Sequence, residues 1–386
     1  MEGELLLPLY LYRLIRLDFV TFNLVVVLDY TIIILGEKIM MTSTERLRAL
    51  AAGNPVDRIC HSAWWHMPMV DKNPKDLAKA TIDFTENNHL DFVKMMYNTS
   101  FFIQNFGVSV EYSRNPFEWR PIITKQILNH PADFRNFKPI PPTEGNLGVQ
   151  LEATKIVIDH FKGKVPVIAT TFTDLSFYKD MITFCDGKCI EPAVKYNAAD
   201  LHYALEMINE VNIKWIEALA SIGADGVFLA SHFADRDFDE TIFNEYCRPY
   251  DLKLIEAANK DMWFNILHIH GSDNLAFERF ADYPVQAMSW EDILDGPNGV
   301  SFKDANCLIP DKVLIGGIEL WSDYSSEFND REEVKQKLKR RCRDAVAAVG
   351  RDRVILAPGC GAPLNVPPYR FTLQYEAVME VSNEIA

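Results

Sequence analysis

Several features that would place a chain outside the large globular class are missing here. The seven cysteines, at 60, 185, 189, 247, 307, 342 and 360, form no Cys-x-x-Cys pair and no even framework. A disulfide scaffold is therefore excluded, and free thiols in a reducing compartment are expected. Cys185 and Cys189 are the nearest local pair with any metal-binding potential. Excess positive charge is also absent: 39 Lys and Arg stand against 54 Asp and Glu, a formal net charge of −15. That balance argues against nucleic-acid backbones and anionic membranes as partners. No clean apolar stretch of about 18 residues exists to span a bilayer, because Arg13, Arg16, Asp18 and Asp29 interrupt the most apolar segment. Residues 29–38 offer no small-residue cleavage site, so a signal peptide is not expected either.

What the chain does have is apolar bulk. Hydrophobic residues make up 48% of 386 positions, enough to bury a core without metals or disulfides. A cytoplasmic protein with a small-molecule substrate is the expectation. Met40 or Met41, followed by Thr42-Ser-Thr-Glu-Arg-Leu, resembles a natural start, with a hydroxyl N-cap ahead of an amphipathic helix. Residues 1–39 are accordingly read as an extension outside a functional fold of residues 40–386.

From Arg58 onward, apolar runs alternate with helix-length segments. Candidate strands are Ile59–Trp64, Leu90–Tyr97, Val165–Thr171, Gly226–Ala230, Met262–His268, Val285–Ser289, Val313–Gly316 and Val354–Ala357. Eight such units predict an α/β fold, a (β/α)₈ TIM barrel, rather than an open sheet. Helical periodicity is clearest over Asp200–Ile222 and Arg331–Val349, the latter basic along what reads as a solvated face. The proline-rich stretch Phe101–Pro142 reads as an excursion of hairpins and loops.

His268-Ile-His270-Gly ends one apolar run, and Cys360 sits in Ala-Pro-Gly-Cys-Gly-Ala-Pro after another. Residues i and i+2 of a strand share a face, so His268 and His270 can converge on one ion. Cys360, in a glycine-flanked turn, would supply a soft third ligand and leave a fourth position open, as in catalytic zinc sites. The alternative is that both histidines are satisfied near-core residues and Cys360 a small apolar filler.

In a barrel, catalytic groups sit where strands end. Asn98, His232, Asp235, Glu319 and the segment His61–His66, with Trp64, Trp65 and His66, all fall there. Each has a duller role open to it: Glu319 as a cap of the next turn, Asp235 as the N-cap of Phe238–Pro249, His66 as packing beside the tryptophans.

Gly53-Asn-Pro-Val-Asp-Arg58, Phe172-Thr-Asp-Leu-Ser-Phe-Tyr178, Gly223-Ala-Asp225 with Phe238–Tyr250, and Leu356-Ala-Pro-Gly-Cys-Gly-Ala-Pro together resemble the uroporphyrinogen decarboxylase superfamily, from Thr42 to Ala386. The resemblance implies a (β/α)₈ barrel, an active-site tyrosine at Tyr178 and, as in the decarboxylases, a homodimer. The superfamily divides into porphyrin decarboxylases and zinc-dependent methyltransferases that exchange methyl groups with a corrinoid. A polycarboxylate substrate calls for arginines, yet none occurs between Arg58 and Arg114. The decarboxylase's charge-stabilising aspartate is matched by Asn98, whose amide supplies no negative charge. The methyltransferase branch, with a His-x-Cys pair and a Gly-Cys-Gly turn on zinc, resembles this chain better through His268, Gly271 and Cys360. His270 stands where cysteine is usual, which raises the net charge of the site by one unit and weakens a bound thiolate as nucleophile.

The expected function is zinc-dependent, corrinoid-linked methyl transfer, with Zn²⁺ on His268, His270 and Cys360. Tyr178, Asn98 and Glu319 are the expected catalytic or positioning groups, and Trp64, Trp65, His66, His232 and Asp235 the substrate contacts. Methylcobalamin or another corrinoid would be carried by a separate protein, since the chain has no Asp-x-His-x-x-Gly motif and Asp159-His160 sits at a predicted helix end. A metal-free lyase and a catalytically silent tetrapyrrole-binding barrel are the alternatives. If residues 1–39 lie outside the fold, a chain starting at Met40 should match the full chain in solubility and thermal midpoint. Aggregation of the truncated chain alone would show that the segment covers an apolar surface.

Overall fold

The structure is a computed structural model that describes residues 22–28, 31–37, 40–126, 128–182, 190–271, 274–293, 299–324 and 330–385. Two compact units divide it, residues 1–42 and Ser43–Ala386. In the first, β1 (Phe22–Leu28) and β2 (Thr31–Glu37) pair antiparallel, Phe22 opposite Glu37. Cys185 and Cys189 fall outside the described residues.

All eight strand candidates of the second unit appear, most of them shorter than the apolar runs that announce them. They are β3 (Cys60–His61), β4 (Val93–Lys94), β7 (Val167–Phe172), β8 (Gly226–Ser231), β9 (Ile266–Ile269), β10 (Ala287–Ser289), β11 (Val313–Ile318) and β12 (Val354–Pro358). They form one sheet in the order β3-β12-β11-β10-β9-β8-β7-β4, with parallel neighbours. Ahead of β4, the Asp91 N–H donates to the His61 carbonyl of β3 at 2.9 Å. The excursion between β4 and β7 carries the small hairpin β5 (Ser109–Glu111) and β6 (Ile122–Lys125) between single turns of 3₁₀ helix.

Strand alternation sorts the apolar residues into two cores. Cys60, Trp64, Ile168, Phe228, Ile266, Ala287, Ile315 and Ile355 pack on the inner face of the curled sheet. Val93, Met95, Leu229, Leu267, Met288, Leu314 and Leu356 pack outward against the helices. Trp64, 2% exposed, sits in the inner core edge-on to Phe228, whereas Trp65 turns outward to Phe84 and Phe371. The two indole rings therefore pack into different cores, since consecutive residues on an extended segment point to opposite faces.

The helix expected over Asp200–Ile222 runs from Ile190 to Ser221, broken at Asn197 with φ −141°. The helix Arg331–Val349 has the expected bounds, but its basic face is not merely solvated. Lys335 and Lys339 pair with Glu380, Arg343 with Glu384, and Arg341 with Asp323, so this charge clamps the C-terminal helix Tyr369–Glu384 and the end of β11.

Behind β8, Asp251 is buried with Oδ2 accepting from the Tyr283 hydroxyl at 3.0 Å, while Oδ1 has no partner among the described residues. Burial, then the neighbouring Asp174, pushes the Asp251 carboxyl well above its usual range, and burial brings Asp174 to about 7 against the amides of Asn212 and Asn209. The folded chain thus keeps a proton that the unfolded chain releases above about pH 4. The stability contributed is complete below that value and lost as pH rises through the folded value. Asp251→Asn should stabilise the protein by about 1–2 kcal/mol near pH 7.5 and by little near pH 4.5. Urea midpoints at the two pH values check this; an equal effect at both would remove titration as the cause.

Candidate metal centre

His268 lies on the sheet face already occupied by Phe264 and Ile266, so its ring enters the sheet interior, 5.1 Å from the Phe228 ring. In the ladder it stands opposite Ser289, whose hydroxyl lies 3.3 Å from His268 Nδ1. That contact orients the ring and leaves Nε2 for another partner. His270 follows β9, its N–H donating to the Ser231 carbonyl at 2.9 Å. A Cβ at Gly271 would come within 2.6 Å of Leu275 Cδ2 and 2.9 Å of Asp235 Oδ1, so a larger residue there would have to displace the ends of those two side chains.

Cys360 arrives from β12. The preceding Gly359 lets the turn approach the end of β10: a Cβ there would meet Glu291 Cα at 2.6 Å and the Trp290 carbonyl at 2.9 Å. Cys360 Sγ then lies 3.6 Å from His270 Nδ1, and the donor atoms of His268, His270 and Cys360 all fall within 4.8 Å of one another. A tetrahedral zinc with Zn–S near 2.3 Å and Zn–N near 2.05 Å separates those two ligand atoms by about 3.5 Å. The side chains fit such an ion.

Electrostatics set the protonation of the donors. Burial, then the His270, Lys94 and His232 charges, holds His268 well below the usual imidazole range. Burial, then Lys179 and Arg120, lowers His270, with Asp235 opposing. Both rings are thus neutral, as ligation requires. Burial and Glu291 push the Cys360 thiol up to about 11, the Gly361 N–H and Lys94 pulling the other way.

Other candidates divide by position. The His232 ring lies 5.2 Å from His270, burial brings it to about 3, and its Nδ1 has no partner among the described residues. His66 stacks on Trp119 at 4.9 Å beside Gly361. Asp235 borders Gly271, and the cap of the following helix is Asp239, which accepts from the N–H groups of Thr241 and Ile242. Glu319 accepts from the N–H groups of Trp321 and Ser322, capping the turn after β11. Asn98 is held by Ser100, Tyr112 and Asn146 at 3.1, 3.2 and 3.2 Å. Tyr178 is buried on the helix Asp174–Met181 with its ring 6.0 Å from Phe134, and burial raises its hydroxyl above the usual range.

Sequence reasoning passed over Lys94, Trp119, Arg120, Lys179 and Glu291. Lys94 carried a signal: it is the only charge inside the apolar run Phe92–Tyr97, at a position that alternation turns inward. Burial lowers it to about 7, with Cys360 opposing.

The family model for uroporphyrinogen decarboxylase (URO-D) matches residues 45–381, and the chain belongs to that family. The methylcobamide:CoM methyltransferase MtbA of Methanosarcina acetivorans is 21% identical over 353 residues, 84% of this chain and 94% of that protein. MtbA of Methanosarcina mazei is 21% identical over 355 residues, with the same shares. Among solved structures, a methyltransferase from Methanosarcina mazei superposes with TM-score 0.73 at 21% identity, covering 88% of this chain and 99% of that one. A B12-independent methionine synthase from Shewanella sp. W3-18-1 reaches 0.52 at 13% identity, covering 81% and 88%. These likenesses confirm the α/β fold of a parallel sheet with helices.

Among the described cysteines only Cys360 belongs to the donor cluster; Cys342 is buried on the helix Arg331–Val349. Cys360→Ser should lower zinc content of purified, untagged protein by more than about tenfold, while Cys342→Ser leaves it unchanged. Equal retention by both variants, read by metal analysis, would remove Cys360 from the ligand set.

Proposed function

We propose that this member of the uroporphyrinogen decarboxylase family is a zinc-dependent methyltransferase of the corrinoid-linked type, built on a closed (β/α)₈ barrel. The observation that carries the reading is the 3.6 Å contact between Cys360 Sγ and His270 Nδ1 beside the buried His268. The methyltransferases that the chain resembles along 84% of its length support it, and the bond from Asp91, just ahead of β4, to His61 of β3 supports closure.

When bound, zinc supplies a Lewis acid that lowers the pKa of a thiol, hydroxyl or similar group. His268, His270 and Cys360 hold it, Ser289 fixes the His268 ring, and Gly359 lets Cys360 reach the site. His232, whose ring lies 5.2 Å from that of His270 and whose Nδ1 has no partner among the described residues, would accept a hydrogen bond from the bound molecule. His66 and Trp119, stacked beside Gly361, form an apolar wall. Asn98, Tyr178 and Glu319 keep their proposed roles in positioning substrate, through the hydrogen-bonded network around Asn98 and the capped turn at Glu319. The corrinoid comes on a separate protein. Among the described residues no helix is long and apolar enough to cross a membrane.

A lyase acting on a tetrapyrrole polycarboxylate finds less support, because the Asn98 amide supplies no negative charge. Purified protein should not turn over uroporphyrinogen, since losing a preorganised charge costs on the order of 3 kcal/mol or more. Ordinary turnover would overturn the methyltransferase reading.

His270→Cys tests the site directly. A thiolate lowers the site charge by one unit, so a bound thiolate acceptor becomes more electron-rich. The variant should keep its zinc and transfer methyl from methylcobalamin to a thiol faster than wild type, by about tenfold for a barrier change near 1.4 kcal/mol. A slower variant with full zinc would refute the charge argument. No change in zinc or in transfer would show that His270 is not a ligand.

A further inference from the structure

The turn that carries Cys360 is an out-pouching of β12, tied at both ends to the segment that starts with β3. At the first tie Leu356 pairs with His61, and its carbonyl accepts from the Ser62 N–H at 3.0 Å. The buried Gln374 of the C-terminal helix reinforces it, donating from Nε2 to the carbonyls of Ser62 and Leu356 at 3.0 and 3.1 Å. Contact resumes at Ala362, whose N–H donates to the Trp64 carbonyl at 3.0 Å and which bridges Trp65 in parallel register. The Trp65 indole completes this second tie, its Nε1–H donating to the Pro363 carbonyl at 3.1 Å. Residues 357–361 lie between the two ties, with Cys360 near the second.

The ties differ in what secures them. The first is a strand ladder braced by a glutamine. The second has one main-chain bond and the indole, whose ring lies 6.3 Å from that of Phe84 and 5.8 Å from that of Phe371. A segment fixed at one end samples many positions, and fixing the other end removes that freedom at an entropic cost the native bonds must offset. The Pro363 carbonyl also accepts from the Val366 N–H at 3.1 Å, so loss of the indole donor leaves no orphaned acceptor. What it removes is the link between the turn and the segment after β3, and the contribution of the indole is therefore positional. On the other flank Gly359 packs against Glu291 and Trp290. Between these supports Cys360 Sγ comes to stand 3.6 Å from His270 Nδ1.

We propose that Trp65 is a positioning residue for Cys360: its indole N–H, anchored by the Phe84 and Phe371 rings, pins the far end of the turn and so fixes where the thiol stands relative to His268 and His270. The inference rests on the proposed function for the role of Cys360 as a metal ligand, and it gives Trp65 a task other than touching substrate.

Trp65→Phe keeps an aromatic ring beside Phe84 and Phe371 and removes the donor. If that variant fails to fold, 3-benzothienylalanine at position 65 keeps the bicyclic shape with sulfur in place of the N–H. Phe84→Leu is the control, since it loosens the ring packing and keeps the donor. On the metal-free full chain, alkylation of Cys360 by iodoacetamide is timed by peptide mass against the exposed Cys307. Loss of the donor should speed Cys360 about three- to tenfold, the worth of one hydrogen bond, and leave Cys307 unchanged. On the cobalt(II)-loaded chain the thiolate-to-cobalt charge-transfer band should weaken and cobalt affinity should fall by a similar factor. Phe84→Leu should lower the thermal midpoint and move neither readout. An unchanged alkylation rate, or an unchanged cobalt band and affinity in a chain that binds cobalt, would overturn the proposal. So would the same changes in Phe84→Leu, which would make them a product of general loosening. Wild type that takes up no cobalt, with Cys360 alkylation still accelerated by loss of the donor, would refute the metal reading of the site and leave Trp65 as the residue that pins the turn, so the two failures are distinguishable.

Discussion

One buried carboxylate ties together the chain segments at the start of the sheet that carries the candidate metal centre. Asp91, fully buried, accepts from Arg58 at 2.7 and 2.8 Å, from Arg46 at 2.7 Å and from the His61 N–H at 2.9 Å, while its own N–H donates to the His61 carbonyl. Burial alone would raise this carboxyl; Arg58, His61 and Arg46 together hold it below its usual range. Removing the carboxylate would leave the Arg58 guanidinium buried with only the Ile59 carbonyl, whereas Arg46 would keep Asp57; stranding a buried charge in this way is the costliest way to break an ion network. The first helix, the segment before β3 and the two end strands therefore share one electrostatic node, on the side of the sheet where the strands start.

On the opposite side, geometry rather than bond strength does the positioning. Period-two alternation carries the inner face from Phe264 through Ile266 to His268, and the last residues that obey it are the first that can reach a ligand. Tight turns finish the arrangement. Gly271 and Gly359 are each hemmed in by a side chain or backbone closer than 3 Å to where a Cβ would be, so neighbouring strands approach until His270 and Cys360 meet. A (β/α) sheet supplies such convergence repeatedly, which is why the same architecture hosts different chemistries. Here the candidate donors His268, His270 and Cys360 lie at or just past the ends of β9 and β12.

The sequence disclosed the fold almost whole because its signal is redundant: each of eight apolar runs ends near a turn, and a misplaced boundary changes nothing in the strand order. The His268, His270 and Cys360 cluster was legible for a related reason, since alternation and a glycine-flanked turn are local properties. What stayed hidden depends on which face a residue meets across the chain. Trp64 and Trp65 both read as substrate contacts, yet their rings pack into different cores. The basic stripe of the helix Arg331–Val349 read as solvated, because its acidic partners lie in the C-terminal helix, some forty residues later. Arg120 and Lys179 sit on elements separated by nearly sixty residues, and no spacing rule brings them together around one imidazole pair.

Lys94 shows how a local rule fails when its exception carries the information. A charge within an apolar run is ordinarily read as a strand edge or an outward face, yet here the register with Ile168 fixes it inward. The contrast with the whole chain sharpens the point. A net charge of −15 repels anions at long range, but beyond about 8 Å exposed charge is screened at physiological ionic strength. At short range the nearest few charges decide, and Lys94, Arg120 and Lys179 all act on the imidazoles of His268, His270 or His232. A net negative chain and a cluster of cations beside the imidazoles are therefore compatible, because each acts over its own range.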